Sequence, residues 1–173
     1  MNTQSARMLV LAGEKFSCIK IIGRANFASS VDFKALVNQL RQRGCDYFVL
    51  DLSECTLMDS TFLGVLAGFG LEMRQAQKDP CERGIELFNP NARIIELLET
   101  LGVFQLFKLN QGPLPAADGA EARALEPLNP SKEEVKRACL EAHRTLIQIN
   151  PENVSRFQEV TQFLAENAKK TKE

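Results

Sequence analysis

Residues 50–70 read LDLSECTLMDSTFLGVLAGFG, a stretch in which a strand pattern gives way to a helix pattern. The stretch begins within a nearly continuous apolar run, 46–53, which is typical of a central β-strand covered on both faces. It ends in apolar residues that recur at helical spacing. Between the two patterns lie three short polar residues, Asp59, Ser60 and Thr61. Residues of this kind commonly cap helix N-termini, so the sequence predicts a strand, a loop and a capped helix.

The alternation of strands and helices continues on both sides of this stretch. The other predicted elements, in chain order, are two strands in 7–24 joined by a turn at Gly13-Glu14-Lys15, a helix in 26–44 that stops at Gly44, the capped helix running to about Gln77, a strand in 84–90, a helix in 91–104 and a short strand in 105–110. The order over residues 7–110 is therefore ββαβαβαβ. Such alternation predicts an α/β domain within residues 1–110, a mixed β-sheet with helices packed against it.

A linker and two more helices follow this domain in the sequence. Residues 111–130 hold four of the seven prolines, together with alanine, glycine and charged residues, which is the composition of a linker. Residues 131–173 predict an α-helical hairpin that opens with a capping box at Ser131 and turns at Asn150. Its apolar stripes are Val135, Ala138, Cys139, Ala142, Leu146 and Ile149 in the first helix and Val154, Phe157, Val160 and Leu164 in the second. Because two short helices are not stable alone in water, we expect the hairpin to dock on the α/β domain or on a second copy, as a homodimer. The alternative is that the hairpin folds only when a partner binds.

Composition and charge argue against several classes of protein. The net charge is −1 and no segment is strongly basic, so nucleic-acid binding is not expected. No apolar stretch approaches the ~20 residues that span a bilayer, so membrane insertion is not expected. The cysteines are odd in number, scattered and never in a C-x-x-C pair, which favours the reducing cytoplasm. They are Cys18, Cys45, Cys55, Cys81 and Cys139. No metal-ligand spacing or phosphate-binding loop occurs, so neither a metal nor another cofactor is expected.

Two segments of the α/β domain resemble a known family. Residues 49–66, VLDLSECTLMDSTFLGVL, resemble the signature of the STAS domain, the fold of bacterial anti-sigma factor antagonists. In that signature a strand ends in D/N-L-S and is followed by M-D-S-S/T-x-L-G-V. Residues 89–107, NPNARIIELLETLGVFQLF, resemble the late helix of the family, which ends in L-x-x-x-G-V/L-F, and the strand after it. The likeness spans residues 7–110 and does not reach the C-terminal hairpin.

The resemblance implies a regulatory binding module and not an enzyme. In the family, an anti-sigma factor with serine kinase activity phosphorylates the serine that directly follows the aspartate, and a serine phosphatase restores the unmodified form. By position that serine is Ser60. The start of the helix then faces the partner, with Asp59, Thr61, Phe62, Asn26 and Phe27 as the candidate partner-binding residues. The ATP belongs to the kinase, so the resemblance implies no cofactor for this chain.

Two positions depart from the family pattern. Phe62 stands where the family usually has glycine after its hydroxyl pair. The loop 23–26 reads Gly-Arg-Ala-Asn where the family often has G-E-L-D, which weakens any transfer of a role for that loop. Phe27 and Phe62 are the two phenylalanines expected at an exposed binding face, with burial in the core as an equal alternative.

Three other interpretations stay open. The first is that Asp59, Ser60 and Thr61 only cap a helix, each cap being worth about 1 kcal/mol. The second is a scaffold subunit of a stress-signalling assembly, and the third is an adaptor of a membrane transport system that is recognised without phosphorylation. An enzyme is not favoured, because Ser60 has no base nearby in sequence and the single histidine, His143, lies in another segment. We expect His143 at the surface or partly buried.

Overall fold

Residues 5–13, 16–76, 84–114 and 121–170 are described by a computed structural model, which forms a mixed β-sheet with helices packed against it. The elements are β1 (Arg7–Ala12), β2 (Phe16–Ala25), α1 (Phe27–Gln42), β3 (Tyr47–Asp51), β4 (Cys55–Met58), α2 (Ser60–Gln75), β5 (Gly84–Phe88), α3 (Ala92–Thr100), a 3-10 turn (Phe104–Leu106), β6 (Lys108–Asn110), β7 (Arg123–Ala124), α4 (Lys132–Ile149) and α5 (Asn153–Lys170). The predicted α/β fold with two C-terminal helices is confirmed. Within the ranges above, no helix combines the length and apolar character that a bilayer crossing needs.

The sheet has the strand order β6-β5-β3-β2-β1-β7, with β4 paired to the far end of β2. Only β1 runs antiparallel to its neighbours, β2 and β7, and the other pairs are parallel. The central strand β3 is buried on both faces, as its apolar run predicts. Phe48 and Leu50 belong to the main core, whereas Val49 packs with Cys18 and Phe88 in a small separate cluster.

The helix α2 is apolar around most of its circumference because it is covered from two sides. Its inner face (Phe62, Leu63, Leu66 and Met73) is fully buried in the main core between helices and sheet. Its outer face (Ser60, Thr61, Gly64 and Gly68) lies against α4. A helix that buries both sides needs no polar stripe, which explains the apolar composition of residues 62–70.

Gly64 marks the point where α2 and α4 cross. A Cβ atom at Gly64 would lie 2.5 Å from the carbonyl oxygen of Ala142 and 2.7 Å from its Cβ. These atoms belong to backbone and to a short side chain, so they cannot move aside without moving α4. At Gly68, one turn later, an added Cβ would meet Thr145 Cγ2 at an ordinary 3.6 Å. The close approach of the two helices therefore depends on glycine at the first position and not at the second.

The two C-terminal helices, α4 and α5, dock on the α/β domain of the same chain, which is one of the expected outcomes. The joint between α4 and α5 is fixed by Asn153, whose side-chain nitrogen donates to the carbonyl oxygens of Leu101 and Leu146, both at 2.9 Å. The predicted second stripe is only partly right. Phe157 packs on the ring of His143, but Val154 and Val160 are exposed, because α5 contacts α4 through a narrower face.

Some predicted boundaries were wrong. The segment 55–58 forms β4, a strand that the sequence did not predict because it is four residues long and exposes its two central side chains. The predicted linker 111–130 contains β7, which pairs with β1 at the sheet edge. The strand predicted in 105–110 starts with a 3-10 turn, so only 108–110 pair with β5. The Gly13-Glu14-Lys15 turn, the helix end at Gln77, part of the linker, Cys81 and residues 171–173 lie wholly or partly outside the described ranges.

Candidate functional site

Asp59 joins the first turns of two helices. Its Oδ1 accepts a hydrogen bond of 2.8 Å from the backbone N–H of Phe62, which makes it the N-cap of α2. Its Oδ2 accepts one of 2.7 Å from the backbone N–H of Phe27, at the start of α1. The expected cap on the following turn is confirmed, and the bond to α1 was not predicted. Burial raises the pKa of the Asp59 carboxyl group, and the two N–H donors act against that shift.

Ser60, the first residue of α2, contacts the C-terminal helix α4. Its Oγ lies 2.9 Å from Nε2 of His143, a residue 83 positions away in the chain. Ser60 is half-buried, and His143 is buried with 4% of its surface exposed. The expectation that His143 lies at the surface or is partly buried was therefore wrong. The sequence showed no nucleophile–base pair because His143 lies in another segment, and the fold brings the two side chains together.

The hydrogen bonds of His143 fix its tautomer. Its Nδ1 lies 2.7 Å from the carbonyl oxygen of Cys139, which can only accept, so Nδ1 carries the proton. Nε2 of the neutral ring is then an acceptor, and the hydroxyl of Ser60 donates to it. Burial lowers the pKa of His143, and the Cys139 carbonyl and the charge of Asp59 act in the opposite direction. The ring is therefore neutral at pH 7, and the Ser60 proton points at α4.

Thr61 also faces α4 and lies inside the fold. Its Oγ1 donates to Sγ of Cys139 at 3.3 Å, and the side chain is almost fully buried. Burial raises the pKa of the Cys139 thiol, so the sulfur stays protonated at neutral pH. Of the two neighbouring hydroxyls, Ser60 is thus the more accessible one and Thr61 is a packing residue.

The remaining predicted site residues lie in three different environments. Asn26 is the N-cap of α1. Its side-chain oxygen accepts from the backbone N–H of Ser29 at 3.1 Å, so the side chain stabilises the start of its own helix. Phe27 is 42% exposed beside Asp59. Phe62 is 0% exposed, with its ring 4.8 Å from that of Phe33, so of the two alternatives for Phe62 burial in the core is the one observed. As the third residue of α2, it turns toward α1 and the core.

Two site residues were missed by reasoning from the sequence. Leu57 in β4 is 41% exposed and lies two residues before Asp59, whose Oδ2 accepts from the backbone N–H of Phe27. Because β4 was not predicted from the sequence, the exposed position of Leu57 could not be predicted either. His143 did carry a signal, because it lies four residues after Cys139 and three before Leu146, on the stripe predicted to be buried.

Catalytic and metal-binding features are few around this site. Across the described part of the chain, no group of three or more His, Cys, Asp or Glu side chains could hold a metal ion. Ser60 and His143 form a hydroxyl–imidazole pair, but His143 Nδ1 is oriented by a backbone carbonyl and not by a carboxylate. The arrangement holds the hydroxyl in place at the start of a helix, where the partial positive charge of the helix N-terminus favours an added phosphate group.

Comparison with known proteins identifies the family of the α/β domain. The model of the STAS domain matches residues 10–112, more than half of the chain. The match ends before α4, so the helix that contacts Ser60 lies outside the matched region. No curated protein sequence matches this chain.

Two solved structures of anti-sigma factor antagonists have a similar fold. SpoIIAA in its unphosphorylated form has a TM-score of 0.51 at 16% sequence identity, over 61% of this chain and 88% of that chain. An anti-sigma factor antagonist from Mycobacterium paratuberculosis has a TM-score of 0.51 at 17% identity, over 67% of this chain and 91% of that one. At such low identity these likenesses show a shared fold alone.

Proposed function

This chain belongs to the STAS domain family, and from that premise we propose that it is a regulatory binding module of the anti-sigma factor antagonist kind. Its partner is a serine kinase that is also an anti-sigma factor, and the switch is phosphorylation of Ser60. The observation that carries the proposal is the position of Ser60, directly after the Asp59 cap in the first turn of α2. Two solved proteins of this fold are named as anti-sigma factor antagonists, which supports the same class.

The surface beside Ser60 is suited to a protein partner. Phe27 and Leu57 are both large apolar residues with two-fifths of their surface exposed. The Asp59 carboxylate accepts from the backbone N–H of Phe27, and Leu57 precedes Asp59 by two residues. Exposed apolar residues that cluster beside a modifiable hydroxyl favour a docking surface. Asn26 and Asp59 hold the two helix starts in place, so the surface is rigid before the partner arrives.

Phosphorylation would change the charge of this surface. The γ-phosphoryl group of ATP passes to Ser60 Oγ, ADP leaves, and the hydroxyl proton goes to a basic group of the kinase. The product carries about −1.5 to −2 additional charges beside Asp59. An apolar or acidic partner face is then repelled, and a serine phosphatase restores binding by hydrolysing the ester. The chain itself needs no metal or cofactor for this cycle.

The site is tested by phosphate transfer followed by peptide mapping. The purified chain is incubated with radiolabelled ATP and a serine kinase of the anti-sigma factor class from its own host. We expect label on Ser60, none on Ser60→Ala and unchanged label on Thr61→Val, because Thr61 is buried. Label that maps to another residue would refute the assignment of Ser60.

The effect on the partner is tested with a charge mimic. Ser60→Asp adds the negative charge, and Ser60→Asn has the same size without it. We expect Ser60→Asp to bind the anti-sigma factor about tenfold more weakly than Ser60→Asn, because like charges at an interface are unfavourable. Equal affinities of the two variants would mean that charge at this position does not control binding.

One observation favours the scaffold alternative. On α5, Phe163 is 63% exposed and Val160 lies exposed near it, so the helix presents apolar side chains to solvent. A chain that assembles into a larger particle would bury such a face against a copy of itself. Light scattering with size-exclusion chromatography separates the two candidates. A discrete large assembly supports the scaffold, and a monomer that binds the kinase supports the switch.

A further inference from the structure

The outer face of α2 is covered by a helix that is not part of the family domain. The matched region ends at residue 112, and α4 begins at Lys132. Yet α4 buries its side chains as a core helix does, in particular Ala142, His143 and Leu146. The chain therefore supplies its own cover for the helix that starts with the switch residue.

Three contacts in sequence attach α4 to the first turns of α2. The Ser60 hydroxyl donates to Nε2 of His143 at 2.9 Å, and the Thr61 hydroxyl donates to the sulfur of Cys139 at 3.3 Å. One turn further along, Gly64 lets the backbone of Ala142 approach so closely that a methyl group would not fit. An ion pair of 3.0 Å between Lys34 of α1 and Glu141 of α4 continues the contact beyond α2.

A phosphoryl group and His143 cannot both occupy the direction in which the Ser60 hydroxyl points. The imidazole nitrogen lies at hydrogen-bond distance from Oγ, whereas a phosphorus atom bonded to Oγ brings three further oxygens into that space. Transfer also requires a donor to approach Oγ in line with the bond that breaks. With α4 in place, Ser60 is half-buried and its hydroxyl donates to His143.

We propose that α4 is an intramolecular lid on Ser60, latched by His143, and that a kinase reaches Ser60 only after α4 has left the outer face of α2. The kinase step rests on the proposed function, whereas the lid itself does not. The occupant of this face in the resting protein is α4, and a partner has to displace it. The chain thus contains an autoinhibitory contact in addition to the phosphorylation switch.

The lid is tested by a substitution that displaces α4 without weakening α2. Gly64→Ala places a Cβ 2.5 Å from the Ala142 carbonyl oxygen, while alanine is a better helix former than glycine. Gly68→Ala is the matched control, because its Cβ makes an ordinary contact with Thr145. Each is combined with Ser60→Cys in the full chain, and alkylation of the introduced thiol by N-ethylmaleimide is followed by peptide mass spectrometry.

We expect Gly64→Ala to raise the alkylation rate at position 60 by about tenfold or more, and Gly68→Ala to leave it unchanged, since a loosened local structure opens more often. Cys139, which lies on α4 itself and faces Thr61 of α2, is expected to react faster in the same variant. Asn153→Ala is the second route, because it removes two hydrogen bonds at the base of α4 and touches no residue of α2. Equal alkylation rates in the parent, Gly64→Ala and Asn153→Ala would overturn the lid.

Phosphorylation of the same variants with Ser60 restored separates this inference from the proposed function. We expect faster transfer to Gly64→Ala than to Gly68→Ala from the serine kinase. If alkylation rises but no kinase modifies Ser60, the lid stands and the proposed switch fails. If transfer is equally fast in all variants while alkylation differs, the lid exists but does not control the kinase, and the inference is overturned.

Discussion

The two faces of α2 differ in what holds them. The inner face is a set of large apolar side chains, such as Phe62 and Leu66, packed without polar atoms in the main core. The outer face is made of two hydroxyls and two glycines, which meet α4 through hydrogen bonds and close backbone contact. Apolar burial is lost only when the domain unfolds, whereas polar and small-residue contacts can be exchanged for water or another protein. The difference separates a permanent core from an interface that can open.

The largest expected effect is on the inner face. Phe62→Ala removes a fully buried ring that packs on Phe33, so we expect a loss of about 3–5 kcal/mol in the free energy of unfolding. Urea denaturation measures it. The exposed Phe27 provides the control, and Phe27→Ala is expected to change stability by less than about 1 kcal/mol. Similar losses for the two variants would contradict the assignment of Phe62 to the core.

A smaller and more local effect is expected at the outer interface. Leu146 on α4 is fully buried, and Leu146→Ala is expected to weaken the docking of α4 by about 2–5 kcal/mol. Backbone amide hydrogen exchange should become faster through α4 and remain slow in β3 and α2. If exchange accelerates equally in all these elements, α4 unfolds only together with the domain, and the contrast between the two faces disappears.

Asp59 joins the starts of α1 and α2, and its removal is expected to cost less than the removal of either core side chain. Asp59→Ala removes hydrogen bonds at the starts of both α1 and α2, so we expect a loss of about 1–2 kcal/mol. The control is Asn91→Ala, which removes the cap of α3 and two side-chain bonds to carbonyls of β4 but leaves both Asp59 bonds in place. Both variants are measured by thermal denaturation and by phosphate transfer. Asp59→Ala should impair transfer more than Asn91→Ala does, and equal transfer would reduce Asp59 to a cap.

The smallest expected effect is the pH dependence of the outer interface. Burial lowers the pKa of His143 from its ordinary value of 6.5, so the unfolded or undocked state takes up a proton first. Docking of α4 is therefore fully favourable above pH 6.5 and weakens as the pH falls toward the lowered value. Burial raises the pKa of Asp59 from 3.8, so this carboxyl group contributes to stability with the opposite sign between pH 3.8 and its raised pKa.

NMR titration of the imidazole carbons checks this prediction. The pKa of His143 should lie below 6.5, and the exchange protection of α4, corrected for intrinsic rates, should fall over the same pH range. His143→Gln, which cannot take up a proton, should keep a constant protection between pH 7 and 5.5, a range chosen around the ordinary histidine value. A raised pKa for His143 would reverse the sign and contradict the neutral ring bonded to Ser60.

The strand and helix order could be predicted because it depends on local patterns. Residues 46–53 and the helix after Asp59 follow the periods of a buried strand and of a helix, and the cap at Asp59 follows from residue type and position. The sequence even predicted a buried stripe on α4. Strands β4 and β7 were missed, because four and two residues are too short to show a period.

The contacts that distinguish this site depend on long-range packing. Ser60 and His143 are 83 positions apart, and Asp59 and Phe27 are 32 apart. No pattern near either residue of a pair identifies the other. Phe62 illustrates the same limit, because whether the third residue of a helix faces solvent or the core is decided by the element packed beside it, here α1.

The short strand β7 changes how strongly α4 competes with a partner. Its pairing with β1 fixes the chain at Ala124, so residues 125–131 alone connect this fixed point to α4. A short tether keeps a released segment at an effective concentration in the millimolar range. Dilution of the protein does not reduce this value, so a partner at micromolar concentration must bind the outer face of α2 much more tightly than α4 does. The response to a partner is then set by the ratio of the two affinities and does not depend on how much of the chain the cell contains.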